Sequence, residues 1–263
     1  MGRFIERASG AIRLGAVVGA RDLRPGLFSA LPVFGTGHWA LFRTAGTHSF
    51  TIPSNCEELQ VHVVGGGSGA GLNSNGTPDA ANVAGTSSFG VLVSATGGNS
   101  NDFIGGLGIG GDVNYSGGVG HQTGDQTGGG GAASPWGPGG SDDFDGACAA
   151  GFSSAAFSGG DSFLGVPEAN GGSVAGSGAG LLGPGYNPTA STGAPGGQGG
   201  GGGSPFTGSA AKRAGCGGGY AGRVLTVNPN DVFPIVVGAG SLGLDGGGFT
   251  AGPGGDGLVF LEW

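Results

Sequence analysis

The residue types able to do chemistry are few and scattered in this chain. Gly106-Leu107-Gly108-Ile109-Gly110-Gly111 fits G-x-G-x-x-G, but that loop holds a pyrophosphate only between a strand and the helix whose N-terminus faces the phosphates. No clear strand precedes it and no helix pattern follows, and with 70 glycines in 263 residues such a match is expected by chance. Lys212 is the only lysine, so no Walker-A lysine follows a glycine loop, and no G-x-S-x-G elbow exposes a serine. Asp142, Asp143 and Asp145 have the composition of a calcium loop, yet an acidic loop tip explains them more simply. The tandem G-G-x-G-x-D repeats of a calcium β-roll are absent. His38, His48, His62 and His121 show no metal-ligand spacing, although a hairpin would bring His48 near His62. Cys148 has no visible partner base and reads as a buried thiol. These residues predict no catalytic group, no metal and no cofactor.

The elements that would position such residues are unusual. The 14 prolines and 70 glycines alone would suggest low complexity. Only 10% of the chain is charged, however, and 15 Phe, three Trp and three Tyr are spread through it, many within the glycine-rich stretch. Disordered chains have the opposite balance, so the glycine region is expected to be ordered. The net charge of −8 divides into +3 over residues 1–26, which hold Arg3, Arg7, Arg13, Arg21 and Arg24, and −11 over the rest. Five scattered arginines are a weak nucleic-acid footprint, so an arm docking on another protein is the better reading, with Arg3, Phe4, Ile5, Arg7 and Arg13 as its contacts. Three cysteines cannot all pair within the chain and read as reduced thilos of a cytosolic folding environment. Ala11–Ala20 is too short to span a bilayer and carries Arg13, so neither membrane insertion nor a cleaved signal is expected.

Along the chain, residues 1–35 form the arm, with Phe4, Ile5, Ala8, Ala11 and Ile12 at helical spacing. Residues 36–263 form a glycine-rich β-domain. Strands are predicted at Trp39–Arg43, Thr47–Ile52 and Leu59–Val64, with a turn at Pro53-Ser54-Asn55, so that 38–64 is β-scaffold. Residues 65–219 hold 51 glycines in 155 positions, clustered rather than in Gly-X-Y order, which excludes a collagen helix. Within them Thr86–Ser94 reads as a strand, scaffold residues 86–94, and Ala147–Phe157 as a weaker one. Residues 220–263 return to strands at Tyr220–Val227, Asp231–Val237 and Leu258–Trp263, which pair with the first set to close one sheet system.

Polyglycine in the polyproline-II conformation has three residues per turn and no internal hydrogen bonds. Its N–H and C=O groups all point outward and need partners. Without Cβ atoms, neighbouring helices approach closely enough to supply them. A bundle of this kind places its other residues at the connections: Pro135-Trp136-Gly137-Pro138, Asp142–Phe144, Phe163–Pro167 and Leu181–Pro188. Loops on a rigid scaffold are where binding resides, which makes Trp136, Asp142, Asp143, Phe144, Phe163 and Tyr186 the candidate receptor-binding residues. Packing of the same aromatics against helix ends is the equal alternative.

The segment FRTAGTHSFTIPSNCEELQVHVVGGGSGAG (42–71) resembles the opening of the glycine-rich domain of bacteriophage tail proteins, where a strand, a turn and a second strand run into polyglycine. TSSFGVLVSATGG (86–98) is similar to the internal strand of that pattern, and GGGYAGRVLTVNPNDVFPIVVGAGS (217–241) with GGDGLVFLEW (254–263) to its ending. The resemblance covers residues 42–263. It implies an all-β fold: a β-sandwich, jelly-roll-like, with a long polyglycine-II insertion and a short N-terminal arm. It also implies a virion protein of the tail-fibre or adhesin type, assembled in the bacterial cytoplasm, that binds a host glycan or outer-membrane protein. Other virion proteins would hold the arm, and fibre proteins in general suggest a homotrimer. The alternative is a purely structural virion part, a capsid decoration or tail-assembly component. A receptor ectodomain with a related glycine-rich domain is disfavoured by the cysteine count, and an enzyme ranks last.

Overall fold

The computed structural model describes residues 6–8, 11–13, 38–71, 82–120, 128–141, 177–178, 180, 185–186, 192–203, 214–245 and 250–263. Twelve strands lie among them: β1 (Glu6–Ala8), β2 (Ala11–Arg13), β3 (Trp39–Phe42), β4 (Gly46–Thr51), β5 (Glu58–Val64), β6 (Ser87–Phe89), β7 (Val93–Ala95), β8 (Gly108–Ile109), β9 (Val113–Tyr115), β10 (Tyr220–Thr226), β11 (Val232–Val237) and β12 (Leu258–Glu262). No α-helix occurs among the described residues, and none is therefore long and apolar enough to cross a membrane.

The arm corrects the helical reading. Glu6 pairs with Arg13 and Ala8 with Ala11 in an antiparallel hairpin. Two residues, Ser9 and Gly10, separate the strands in the sequence, a spacing and composition that favour a hairpin over a helical turn. The segment 86–94 is also corrected from one strand to two, since β6 and β7 pair antiparallel around a turn at Gly90, whose φ is +54°.

The remaining strands form two antiparallel five-stranded sheets. The first has the order β3-β12-β5-β10-β9 and the second β4-β11-β6-β7-β8. The strands on either side of the glycine-rich stretch do pair: Leu258 and Tyr220 both lie opposite Val64. Leu59, Val61 and Val63 alternate inward on β5 and meet Phe89, Val93, Ile235 and Val237 of the second sheet in the main core. Burying side chains of this size removes about 1.5–3 kcal/mol each from contact with water. The period of two in ELQVHVV sets this register, because a slip of one residue would turn all three inward side chains to the outer face.

Eight strand ends point the same way and continue into glycine-rich segments. Chain leaves β5, β7, β9 and β11 there and enters β6, β8, β10 and β12. These extensions bond to one another through the backbone with a period of three. Residues 65 and 68 donate to the carbonyls of Gly219 and Cys216, and residues 67 and 70 to those of Gly255 and Gly252. Gly66 donates to Gly85 and accepts from Gly98, while Gly67 and Ala70 accept from Ser241 and Leu244, and Ser68 accepts from Gly202. One central segment is thus bonded to six others. The pattern recurs elsewhere: Gly193, Gly196 and Gly199 donate to residues 250, 253 and 256.

Close approach, not backbone conformation, selects glycine here. A Cβ on Gly67 would overlap the carbonyl of Gly200, one on Gly217 that of Gly131, and one on Gly255 that of Gly197. None of these three has a positive φ. Small residues occupy the positions with room, and Ser68, Ala70, Ala132, Ala133, Ala194, Ala214 and Cys216 are all buried. Gln198 fastens this region to the first sheet, its Nε2 donating to the carbonyls of Arg43 (3.2 Å), Asp256 (2.8 Å) and Gly257 (2.6 Å).

Candidate functional site

Of the candidate receptor-binding residues, Trp136 and Tyr186 are among the described residues. Trp136 is 40% exposed in the Ser134–Gly137 turn, its N–H donating to Ser134 Oγ at 3.2 Å. That turn follows Ala132 and Ala133, which pack on Val64, Tyr220 and Leu258 where sheet meets glycine segments. Tyr186 is 53% exposed, and its N–H donates to Ser177 Oγ at 2.7 Å. Asp142, Asp143, Phe144 and Phe163 lie outside the described residues, as do Arg3, Phe4, Ile5 and Cys148, and the strand expected at 147–157. Arg7 and Arg13 fall on β1 and β2.

The other motifs separate. Gly108 and Ile109 of the G-x-G-x-x-G match form β8, and Gly110 turns with φ +77° toward β9 rather than a helix. His48 and His62 lie in different sheets, and His48 Nε2 donates to the Thr44 carbonyl at 2.9 Å. Among the described residues, no group of three or more His, Cys, Asp or Glu is placed to hold a metal ion.

What the fold does assemble is a ladder of rings across the outer face of the first sheet. Residues of the parity opposite to the core side chains supply one ring from each strand. Trp39 (β3) lies 6.3 Å from Phe260 (β12), which lies 5.9 Å from His62 (β5). His62 is 5.9 Å from Tyr220 (β10), and Tyr220 stacks on Tyr115 (β9) at 6.4 Å. Such separations suit offset and tilted aromatic pairs, each contributing about 0.5–1.5 kcal/mol beyond area burial.

The centre of the ladder is a polar clasp. His62 Nδ1 and Tyr220 Oη are 2.6 Å apart and buried. Tyr220 reaches His62 by lying along its own strand over Gly222, where a Cβ would meet the phenol. Burial lowers the His62 pKa to about 4, so the imidazole is neutral near pH 7. Its 3.9 Å approach to Glu262 through Nε2 is then no ion pair. The carboxylate favours the tautomer with the proton on Nε2, which makes Nδ1 the acceptor and the Tyr220 hydroxyl the donor. Burial, with the fields of Tyr115 and Glu262, raises the Tyr220 pKa, and burial raises that of Glu262. A weakly basic imidazole and a firmly protonated phenol make this a structural clasp with little reactivity at neutral pH.

The ladder is open at one end. Ala132 and Ala133 cover the Val64, Tyr220 and Leu258 end, while Trp39 is 62% exposed. Sequence reasoning missed the clasp because its members are 158 positions apart and share no local spacing. The usable signal was parity, since His62 falls on the face of β5 opposite Leu59, Val61 and Val63. No protein-family model, curated protein or solved structure matches this chain.

Proposed function

We propose that the chain is a bacteriophage virion protein of the tail-fibre or adhesin type, in which a jelly-roll-like β-sandwich carries a polyglycine-II bundle that presents loops to a host-surface receptor. Two facing five-stranded sheets with a shared core support the sandwich. Hydrogen bonding with a period of three along residues 65–70, 193–199 and 214–219 supports the bundle, because a helix of three residues per turn returns each N–H to the same neighbour every third residue.

The observation that carries the functional reading is the direction in which the glycine-rich segments leave and re-enter the sheets. Glycine-rich segments continue outward from β5, β9 and β11 and others return to β10 and β12, bonded side by side through their backbones. Ser141 Oγ accepts from the Val119 N–H at 2.9 Å and ties two of these segments together. Asp142, Asp143, Phe144 and Phe163 follow Ser141 in the sequence. Loops carried on a rigid scaffold suit receptor recognition, with a host glycan or outer-membrane protein as target. The arm, with Arg3, Phe4, Ile5, Arg7 and Arg13, would dock on other virion proteins.

Purified chain is expected to bind host cells and to block adsorption of the phage. If it does neither, the adhesin reading fails. The tethering of the Trp136 N–H to Ser134 Oγ and of the Tyr186 N–H to Ser177 Oγ favours the second reading, a purely structural virion part. Immunogold label on the particle's head rather than its tail would select that reading.

A further inference from the structure

The second sheet ends in a strand whose outer edge has no partner among the described residues. Ile52 N–H donates to the Asp231 carbonyl at 2.8 Å, and Asn230 N–H donates back to Ile52 at 2.9 Å. Backbone bonding alternates along a strand, so Phe50, His48 and Gly46 also face β11, in register with Phe233, Ile235 and Val237. The N–H and C=O groups of Thr47, Ser49 and Thr51 therefore point away from the sheet. The orientation of β11 agrees, because Pro234, opposite Ser49, accepts from the Gly90 N–H on its other side at 2.8 Å.

Among the described residues, β4 carries none of the usual protections along this edge. A lysine, a proline, a bulge or a covering loop normally blocks an exposed edge strand. β4 reads GTHSFT and contains neither a charge nor a proline. Thr47, Ser49 and Thr51 are exposed on its outer face, beside exposed Val232, Pro234 and Val236 on β11. In a chain of net charge −8, this uncharged strip is a place where two copies can meet without like charges opposed.

We propose that β4 pairs antiparallel with β4 of a second copy across a two-fold axis at Ser49. The register is self-complementary: Ser49 faces Ser49 of the second copy, and Thr47 faces its Thr51. All three outward-pointing residues then exchange both of their main-chain hydrogen bonds. On the outer face, Ser–Ser and Thr–Thr pairs are among the favourable cross-strand combinations. The two five-stranded sheets become one of ten, and two bundles are carried on one dimer. This contact is two-fold, so it replaces the trimer suggested by fibre proteins.

The test is the mass of the full-length chain in solution. Sedimentation at micromolar concentration is expected to give twice the chain mass. Ser49→Lys, which sets two ammonium groups opposite each other, is expected to give monomer with unchanged circular dichroism and Tm. A wild-type monomer, or an oligomer of any size that survives Ser49→Lys, overturns the proposal. Ser49→Cys in a Cys148→Ser background keeps the test decisive if the lysine variant fails to fold. Mild oxidation is expected to give a covalent dimer on non-reducing gels, and its absence contradicts the proposed axis.

Discussion

Ser68 and Cys216 clasp each other inside the glycine-rich region: the Ser68 N–H donates to the Cys216 carbonyl at 2.9 Å, and the Cys216 N–H donates to Ser68 Oγ at 2.8 Å. Both are buried. A side-chain oxygen here supplies the acceptor that a neighbouring carbonyl supplies elsewhere among the glycine-rich segments. Ser68→Ala leaves a buried N–H without its partner, at a cost of about 1–3 kcal/mol. Denaturant unfolding checks this, with a fall in midpoint expected for Ser68→Ala and a smaller one for Ser68→Thr if its methyl is accommodated.

The same setting makes the Cys216 thiol inert. Burial raises its pKa to about 11, against partial relief from hydrogen bonds with the Gly120 backbone and the Ser68 side chain. Cys56 is buried too, and burial raises its pKa. A Cys148→Ser chain is therefore expected to resist thiol reagents at pH 8 while folded and to label at both remaining cysteines in denaturant. Rapid labelling of Cys216 in the folded chain would contradict this packing.

Two glycine substitutions separate close approach from backbone strain. Gly217→Ala drives a methyl into the Gly131 carbonyl although its φ is ordinary. Gly46→Ala meets nothing within 4 Å but has φ +136°. Overpacking against backbone costs about 3 kcal/mol or more and the strained φ about 1–2. Gly217→Ala is expected to lower Tm further than Gly46→Ala in thermal melts.

Much of the sheet system was legible in the sequence, because β3, β4, β5, β10, β11 and β12 combine alternating patterns with clear turns such as Pro53-Ser54-Asn55 and Asn228-Pro229-Asn230. Glycine density concealed β8 and β9, whose Gly108–Ile109 and Val113–Tyr115 are too short to show a period. The arm misled because Phe4, Ile5, Ala8, Ala11 and Ile12 fit helical spacing, while Glu6–Ala8 and Ala11–Arg13 instead pair as strands. The ring ladder was illegible for a different reason: cross-strand registers bring Trp39, Phe260, His62, Tyr220 and Tyr115 together, and no local spacing encodes those registers.

The clasp at His62 predicts an acid-side loss of stability. Its folded pKa, about 4, lies below the ordinary histidine value of 6.5. The unfolded chain therefore binds more protons between these values, and this contribution falls as pH drops from about 6.5 to 4. The full effect is about 3 kcal/mol. Glu262, whose pKa is raised, acts in the opposite sense and offsets part of it, while Tyr220, whose pKa is also raised, stays protonated throughout this range. In urea titrations, His62→Gln is expected to flatten the pH dependence between 6.5 and 4, and an unchanged slope would exclude His62 as its source.

Gln198 is expected to be intolerant of a negative charge. Its Nε2 serves three carbonyl oxygens, so Gln198→Ala costs about 1–3 kcal/mol. Gln198→Glu sets a carboxylate among those oxygens and is expected to be worse at pH 7 than at pH 4. Paired thermal melts at the two pH values check this.

Amide hydrogen exchange of the folded chain tests the central claim, that backbone hydrogen bonds between glycine-rich segments form a cooperative interior. The amides of residues 65–70 and 214–219 are expected to exchange as slowly as those of Val61 and Val63 on β5, with all of them released together by denaturant. Exchange of these glycine amides at the rate of an unstructured chain, while β5 stays protected, would contradict the account.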